Sequence, residues 1–293
     1  TDGVNTGGIC EKKEGLFMKK KLVTAAFAMT LLLTGCGSSD DDKNVSKNTG
    51  KETFTIGMEC NYAPFNWQTK EQTSVSIGGA GFCDGYDVRV ARQIAKDLDR
   101  EIVIKKVSWD GLQPALESGE IDAIIAGMTK DETRENGIDF TSPYYESEMV
   151  MIVRKGDKAA KFNDIQQFKG KTIIGQKSTN YDTIIDQIKG VKHATPKATY
   201  PEMILSLQNK EVDGITAELP VAEGAVEANK DLTIVHFAKG KGFDIDTSVS
   251  VGLKEGSRDS ELFNAVQKSL DGISKETRDQ WMKEARESQP KTE

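Results

Sequence analysis

The sequence predicts an α/β protein with largely parallel sheets, formed by the part of the chain from residue 52 onward. Strand and helix patterns alternate along this part, which is the order typical of layered α/β folds. Its length is enough for one large domain or two smaller ones. The segment just before it is rich in Ser, Asp, Asn, Lys and Gly and has almost no apolar residue with which to build a core.

The individual elements follow from the spacing of apolar residues. Strand patterns occur at residues 54–58, 102–107, 121–126, 172–175, 214–217, 233–237 and 249–253. Helical patterns, with apolar residues recurring on one face, occur at residues 86–98, 109–117, 181–188, 201–208, 220–228, 262–270 and 277–287.

An export signal is predicted near the N-terminus. Met18 is followed by three lysines and an apolar run over residues 22–33, which ends in Leu-Thr-Gly before Cys36. A basic start, a short apolar middle and a small-residue exit are typical of a secretory signal. The run is shorter than the roughly 20 apolar residues of a membrane span, although an uncleaved N-terminal anchor is the alternative.

The L-T-G-C sequence resembles the lipobox of bacterial lipoproteins. This resemblance implies a signal peptide over residues 18–35 and a lipid on Cys36, which becomes the first mature residue. Residues 36–51 are then expected to form a flexible tether. Residues 1–17 precede a natural start, and we expect them to be an extension outside the natural protein. The predicted location is the extracytoplasmic face of the cell membrane.

The negative net charge of the chain bears on which partners it can bind. Residues 1–35 contain five lysines and three acidic residues, so the remainder carries −9, against −7 for the whole chain. An acidic body argues against nucleic acid as a partner. We expect no cofactor and no metal site, because the cysteines lack C-x-x-C spacing and the histidines, His193 and His236, are isolated.

Cysteine use fits an exported protein. Besides Cys36 and the early Cys10, the chain has only Cys60 and Cys83. An even pair in an oxidising compartment can form a disulfide. Two buried free thiols are the alternative, because sequence does not fix the separation of the two residues.

An ordered series of motifs resembles the polar amino-acid-binding proteins of ABC importers, from residue 52 to the end. The motifs are I-G-M-E-C-N-Y-A-P-F at 56–65, G-Y-D-V at 85–88, W-D-G-L-Q-P-A-L-E-S-G-E-I-D-A-I-I-A-G-M-T at 109–129, D-F-T-S-P-Y-Y at 139–145, F-K-G-K-T at 168–172 and N-K-E-V-D-G-I at 209–215. The resemblance implies a two-lobed, type II periplasmic-binding-protein-like fold with two hinge crossovers. Lobe 1 is expected at residues 52–146 and 247–293, and lobe 2 at 147–246.

The resemblance also implies a site for a free polar amino acid between the lobes. Arg134 matches the position that binds the ligand carboxylate, where a guanidinium can form two hydrogen bonds. The alternative for Arg134 is an ordinary solvated helix charge. Glu218 matches the acceptor for the ammonium group, where Asp is more usual. The remaining backbone and hydroxyl contacts are expected from Gly127, Thr129, Ser178 and Thr179. Ser178 replaces a usual Gly.

Three residues are expected to recognise the ligand side chain. Tyr62 and Trp109 match positions that sandwich it, although large aromatics are often core residues. Glu59 follows the first strand and can pair with a cationic tip. A structural ion pair, or a hydrogen bond to a neutral amide, is the alternative. Arg, Lys, ornithine or His is therefore favoured over Gln as the ligand.

The predicted function is delivery of this amino acid to the membrane subunits of an ABC permease, without catalysis. An enzyme resembling the periplasmic cyclohexadienyl dehydratases is a rival, since Glu59 or Glu218 can serve as a general acid. A signalling receptor lobe and an adhesin that keeps only the fold are further rivals. A receptor lobe is expected to accompany a transmembrane segment and a kinase or channel domain, and the sequence shows no pattern of these. An adhesin would not need to keep both Arg134 and Glu218.

Overall fold

The structure is a computed structural model that describes residues 50–79 and 81–290. The predicted extension, the signal peptide, Cys36 and nearly all of the tether lie outside these residues. Within the described residues, no helix has the length and apolar character needed to cross a membrane.

Fourteen strands and seven α-helices are formed by the described residues. The strands are β1 (Thr53–Met58), β2 (Asn61–Tyr62), β3 (Asn66–Thr69), β4 (Val75–Ser76), β5 (Phe82–Asp84), β6 (Glu101–Lys106), β7 (Ala123–Ile124), β8 (Ile138–Tyr145), β9 (Met149–Arg154), β10 (Thr172–Ile174), β11 (Lys192–His193), β12 (Gly214–Glu218), β13 (Leu232–Val235) and β14 (Val249–Lys254). The helices are α1 (Tyr86–Asp97), α2 (Leu112–Ser118), α3 (Asn180–Thr183), α4 (Tyr200–Gln208), α5 (Leu219–Ala228), α6 (Glu261–Asp271) and α7 (Lys275–Ser288).

The first lobe is built on a five-stranded sheet in the order β6-β1-β7-β14-β8. β1 runs parallel to β6 and β7, whereas β14 runs antiparallel to β7 and β8. α1 packs on this sheet through an apolar face that includes Val90 and Ile94, both fully buried. The parallel strands end at one edge of the sheet, where loops can form a binding site.

The second lobe is built on another five-stranded sheet, in the order β11-β10-β12-β9-β13. β10 is parallel to β11 and β12, and β9 is antiparallel to β12 and β13. Both main sheets are therefore mixed, and each contains one strand that reverses direction. The two-lobed α/β fold predicted from the sequence is confirmed.

A small antiparallel sheet, in the order β2-β3-β5-β4, extends the first lobe. Cys60 and Cys83 are joined as a disulfide, with their Cα atoms 6.1 Å apart. The bond ties the loop after β1 to β5. Cys60 has a left-handed backbone with φ of 54°, and its N–H donates to Asn66 Oδ1 at 2.8 Å.

Two crossovers connect the lobes. Residues 146–148 run from β8 to β9, and residues 236–248 run from β13 to β14. The crossovers contact each other, because Thr247 Oγ1 donates to the carbonyl of Ser147 and His236 Nδ1 lies 2.8 Å from Glu148 Oε1. Two adjacent crossovers are the usual construction of a hinge between domains.

Several predicted elements differ in extent. The strand predicted at 121–126 forms ladder pairs only at Ala123–Ile124, and the helix predicted at 181–188 is a short α-helix followed by a 3-10 turn at Ile184–Gln187. The helix predicted from residue 109 begins with a 3-10 turn at Trp109–Gly111. The sequence interpretation did not include β2 to β5, β8, β9 and β11.

Candidate functional site

The loops at the facing ends of the two main sheets form a cleft between the lobes. Six of the nine predicted ligand-binding residues line one small cavity there: Tyr62, Trp109, Gly127, Thr129, Arg134 and Thr179. Asn180, which the family resemblance placed in the same loop as Ser178 and Thr179, also lines the cavity, and Gln176 and Tyr181, which were not predicted, complete the lining. The cavity volume is about 10 Å³, close to the minimum for one water molecule. An amino acid can enter only if the walls separate.

Arg134 is held firmly in the wall of the first lobe. Its Nη1 donates to the carbonyl of Thr129, and its Nε lies 3.3 Å from Asp131 Oδ2. Its Cζ lies 5.3 Å from the ring centroid of Trp109, which is a cation–π distance. Burial lowers the pKa of Arg134, and Asp131 opposes this shift. The guanidinium is thus partly buried, with 12% of the side chain exposed, in a position where a carboxylate can bind.

Glu218 lies at the end of β12 in the second lobe and is fully buried. Its Oε1 accepts a hydrogen bond from the hydroxyl of Tyr62, which belongs to the first lobe. Its Oε2 has no hydrogen-bond partner among the described residues. Burial raises the pKa of Glu218 to about 7, although the hydroxyls of Tyr181 and Tyr62 favour the charged form. A buried carboxylate with a spare oxygen is suited to accept an ammonium group.

Glu59 follows β1 and makes a second polar contact across the cleft. Its Oε2 accepts from Gln176 Nε2 at 3.0 Å, and the same nitrogen lies 2.9 Å from the carbonyl of Ala198. Burial raises the pKa of Glu59 to about 7, and the bond from Gln176 opposes this shift. The hydrogen-bond donor to the Glu59 carboxylate is therefore a neutral amide and not a cation.

Tyr62 and Trp109 both lie in the cleft but do not face each other as a stacked pair. The ring of Tyr62 stacks on Phe65 at 5.3 Å between centroids and tilts against Tyr200. Trp109 instead carries Arg134 on its ring, and its Nε1 donates to the carbonyl of Ser178 at 3.0 Å. A ligand side chain can be sandwiched only after these contacts rearrange.

The structure explains why glycine is usual at position 178. Ser178 has a left-handed backbone, with φ of 60°, a region that glycine adopts at little cost. Its carbonyl is nevertheless in place to accept from Trp109. The neighbouring Thr179 donates its hydroxyl to the carbonyl of Gln176 at 2.7 Å, so this side chain holds the loop in shape.

Gly127 and Thr129 follow β7 and form the floor of the cavity. Gly127 has φ of 61°, and a Cβ atom there would lie 2.8 Å from the ring of Tyr62. A side chain at position 127 would therefore displace Tyr62. The hydroxyl of Thr129 lies 3.1 Å from that of Tyr181, which is a further contact between the lobes.

A buried polar network supports this floor from behind. The N–H of Gly127 donates to the hydroxyl of Tyr144 at 3.1 Å, and that hydroxyl donates to Asp87 Oδ1 at 2.7 Å. Asn66 Nδ2 donates to the other oxygen of Asp87 at 2.8 Å. Burial raises the pKa of Asp87 to about 6, against the effect of these donors. Asp87 and Tyr144 lie within motifs quoted above, but no role followed from their positions.

One expectation about the histidines is wrong. His193 is not isolated, since its two ring nitrogens lie 2.8 Å from Asp182 and 2.9 Å from Asp186. His236 contacts Glu148 in the hinge. Among residues 50–79 and 81–290, no group of three or more His, Cys, Asp or Glu side chains is arranged to hold a metal ion.

The fold and cleft define a class: a two-lobed binding protein with a partly buried cation on one wall and a fully buried carboxylate on the other. Residues 54–284 match the model of the bacterial extracellular solute-binding proteins, family 3. The chain therefore belongs to this family.

Relatives within the family carry different ligand names. A probable histidine-binding protein of Campylobacter jejuni is 29% identical and covers 83% of this chain and 95% of its own length. The ABC transporter glutamine-binding protein GlnH of Bacillus subtilis is 27% identical, with coverage of 91% and 98%. The solved structure of AbpA, an amino acid ABC transporter substrate-binding protein of Streptococcus pneumoniae bound to L-arginine, aligns with a TM-score of 0.70 and 26% identity, covering 82% and 96%.

Proposed function

We propose that the protein binds one polar amino acid between its lobes and delivers it to the membrane subunits of an ABC importer. One observation carries this proposal. Arg134, which is partly buried, and Glu218, which is fully buried, lie on opposite walls of the same cleft. Every free amino acid at neutral pH has a carboxylate and an ammonium group, and these two side chains are their complements. The ligands named for the three relatives belong to one chemical class, since histidine, glutamine and arginine are all polar amino acids.

A cationic side chain is the preferred ligand in this proposal. Glu59 is buried near the cavity and has an amide donor, Gln176, that a guanidinium, ammonium or imidazolium can replace. A charge-assisted bond is roughly twice as strong as a neutral one. We therefore favour arginine, lysine, ornithine or histidine. Glutamine is the second candidate, because an amide can take the place of the Gln176 amide on Glu59.

Binding is coupled to closure of the lobes. The contacts Tyr62–Glu218, Trp109–Ser178 and Glu59–Gln176 each join the first lobe to the second. A ligand that offers its own partners to Arg134, Glu218 and Glu59 stabilises the closed arrangement by the contacts it makes only there. The permease then recognises the closed form. We place lobe 1 at residues 52–146 and 247–293 and lobe 2 at 147–246, and the proposal includes no catalytic step.

The proposal also includes a lipid anchor on Cys36 and an extracytoplasmic location. The sequence Leu-Thr-Gly before Cys36 and the apolar run before it support the anchor. Changing Cys36 to Ser is expected to release the protein from membranes or to leave an unprocessed precursor. Unchanged processing and membrane retention of this variant would contradict the anchor and leave the binding function untouched.

The binding function is tested by thermal unfolding of the purified protein with each of the twenty amino acids. A ligand present at 100 times its Kd stabilises the folded state by about 2.7 kcal/mol. We expect a clear rise in Tm with at least one polar amino acid and none with acidic ones. No shift with any amino acid, after co-purified ligand has been removed by unfolding and refolding, would refute the proposal.

A further inference from the structure

A second, larger cavity lies next to Glu59. Its volume is about 740 Å³, within the range of small-molecule sites. Glu59, Ser108 and Trp109 line it from the first lobe, and Lys177, Ala198 and Thr199 line it from the second. It is therefore part of the cleft. Arg134 does not line it, so it adjoins the proposed side-chain end of the amino-acid site rather than the carboxylate end.

The hydrogen bond between Gln176 and Glu59 joins the lining of the two cavities. Gln176 lines the small cavity and Glu59 lines the large one, and the bond between them measures 3.0 Å. Trp109 lines both cavities. Displacement of the Gln176 amide from Glu59 would therefore open a path from the small cavity toward the large one. A ligand whose tip bonds to Glu59 would cause this displacement.

Charges of both signs surround the large cavity. Lys106 donates to the neutral Gln68 and opposes a cation at Glu59, whereas Asp110 favours one and has the larger effect on the pKa of Glu59. Lys177 lies 3.2 Å from Asp110, and Lys105 lies 3.4 Å from Glu120, so each of these lysines has an acidic partner at the rim. Glu59 is more deeply buried than these groups and accepts from a neutral amide. The inner end of the cavity is thus its most favourable place for a positive group.

We propose that the large cavity extends the side-chain subsite and accepts substituents on the terminal nitrogen of the ligand. This inference rests on the proposed amino-acid-binding function. The ligands it adds are basic amino acids with an alkylated tip, such as Nω-methyl-L-arginine and Nε-methyl-L-lysine. A methyl group on a nitrogen bonded to Glu59 enters open space, whereas in a closely packed pocket it would force neighbouring side chains to move.

The test compares each ligand with its own tip-methylated form by calorimetry of the full protein. Arginine, lysine and glutamine are each measured against the derivative with one methyl group on the terminal nitrogen. For the best-binding parent, we expect the methylated form to bind within about threefold of it, a difference of less than 1 kcal/mol. A loss of about tenfold or more would overturn the extended subsite and leave the proposed function standing.

Two variants fill the large cavity from opposite walls. Ala198→Trp acts from the second lobe and Ser108→Trp from the first, and both positions are exposed in the cavity. We expect each variant to weaken binding of the methylated ligand by about tenfold or more, while the affinity for the unmethylated parent changes by less than about threefold. Leu205→Trp is the matched control, because Leu205 is exposed on α4 and lines a different cavity. Equal losses for parent and methylated ligand in both variants would contradict the proposal. If no free amino acid binds the unaltered protein, the proposed function fails and the subsite fails with it.

Discussion

The hydroxyl of Tyr62 donates a hydrogen bond to the carboxylate of Glu218 across the cleft. Tyr62 belongs to β2 of the first lobe, and Glu218 ends β12 of the second. In the proposed function, Glu218 is the acceptor for the ligand ammonium. The same contact therefore holds the lobes together and occupies Oε1, which leaves Oε2 for the ammonium. The phenol competes with the ammonium for the charge of this carboxylate and prevents it from bonding to both oxygens.

Removal of this phenol should strengthen ligand binding. In Tyr62→Phe the ring still packs on Phe65, but the hydroxyl that competes for Glu218 is lost. A hydrogen bond contributes about 1 kcal/mol net, which corresponds to an increase in affinity of roughly fivefold. Calorimetry with the best ligand measures the change. Tyr86→Phe removes a buried hydroxyl that donates instead to the carbonyl of Tyr144, and it should give no increase. A weaker Tyr62→Phe complex would show that the phenol contacts the ligand directly.

Removal of the charged side chain on either wall of the cleft should abolish detectable binding of every amino acid. Arg134→Ala removes the partner of the ligand carboxylate, and Glu218→Ala removes that of the ammonium. Truncation of one member of a buried charge pair costs about 2–5 kcal/mol. Lys275→Ala and Glu287→Ala are matched controls, because these charges lie in exposed ion pairs on α7. Near-native affinity in a folded Arg134 or Glu218 variant would mean that the ligand groups bind elsewhere.

Ligand binding should release protons near neutral pH. Burial raises the pKa of Glu218 to about 7, so an appreciable fraction is protonated there without ligand. A ligand ammonium favours the ionised carboxylate and lowers this pKa, so affinity should rise as the pH increases through about 7. Calorimetry in two buffers with different ionisation heats counts the protons. Glu59→Gln removes the other cleft carboxyl with a pKa of about 7. Release that persists in this variant at pH 7 and above, where Asp87 with its pKa of about 6 is mostly ionised, belongs to Glu218. Binding without proton release would contradict the assignment of the ammonium to Glu218.

The same shifts predict the pH dependence of stability without ligand. Both carboxyls have an ordinary pKa of 4.5 and a folded value of about 7. Between these values the folded state binds more protons than the unfolded chain. The stabilisation is complete below about pH 4.5 and is lost as the pH rises through about 7. Urea unfolding between these limits should show a free energy of unfolding that falls with pH, less steeply in Glu218→Gln.

The disulfide should stabilise the fold and the loop that carries Glu59 and Tyr62. Cys60 and Cys83 are separated by 23 positions, and a loop of this size contributes about 3 kcal/mol in the chain-entropy model. Mass analysis of non-reduced protein should show the loss of two hydrogens. The variant Cys60→Ser with Cys83→Ser should unfold at lower urea and bind ligand less tightly. Two freely alkylated thiols in folded, exported protein would rule out the bond.

The sequence predicted local elements better than contacts between lobes. The helix at Tyr86–Asp97 and the strand at Gly214–Glu218 follow from apolar spacing, which is a local property. The strand Met149–Arg154 was missed although all but its last residue are apolar and buried. The short strands between residues 61 and 84 carry too few residues for a period to be recognised.

The candidate site shows the same division. Arg134 and Glu218 were assigned through the family resemblance, and each lies in the cleft. Gln176 and Tyr181 were not, because their roles depend on partners in the other lobe, Glu59 and Thr129. Such contacts arise when the lobes meet, and no local spacing records them. The hydrogen bond from Tyr62 to Glu218 spans 156 positions in the same way.

Ligand preference should depend on the charge of Glu59. This carboxylate is buried and accepts from the amide of Gln176, so either a cationic tip or a neutral amide can replace that donor. The cation gains more, because its bond to a carboxylate is charge-assisted. We expect at least one of arginine, lysine, ornithine and histidine to bind more tightly than glutamine at neutral pH. Glu59→Gln should reduce the ratio of the two affinities, cationic ligand over glutamine, by about tenfold, or roughly 1.4 kcal/mol, because it removes the charge and keeps the shape of the side chain. The measurement is calorimetry on refolded protein free of co-purified ligand.

Glu120→Gln is the matched control for this preference, because Glu120 lines the neighbouring cavity as half of an exposed ion pair with Lys105. This variant should leave the ratio of the two affinities unchanged. If glutamine binds best and Glu59→Gln changes little, the pocket recognises amides and the carboxylate of Glu59 serves to hold Gln176.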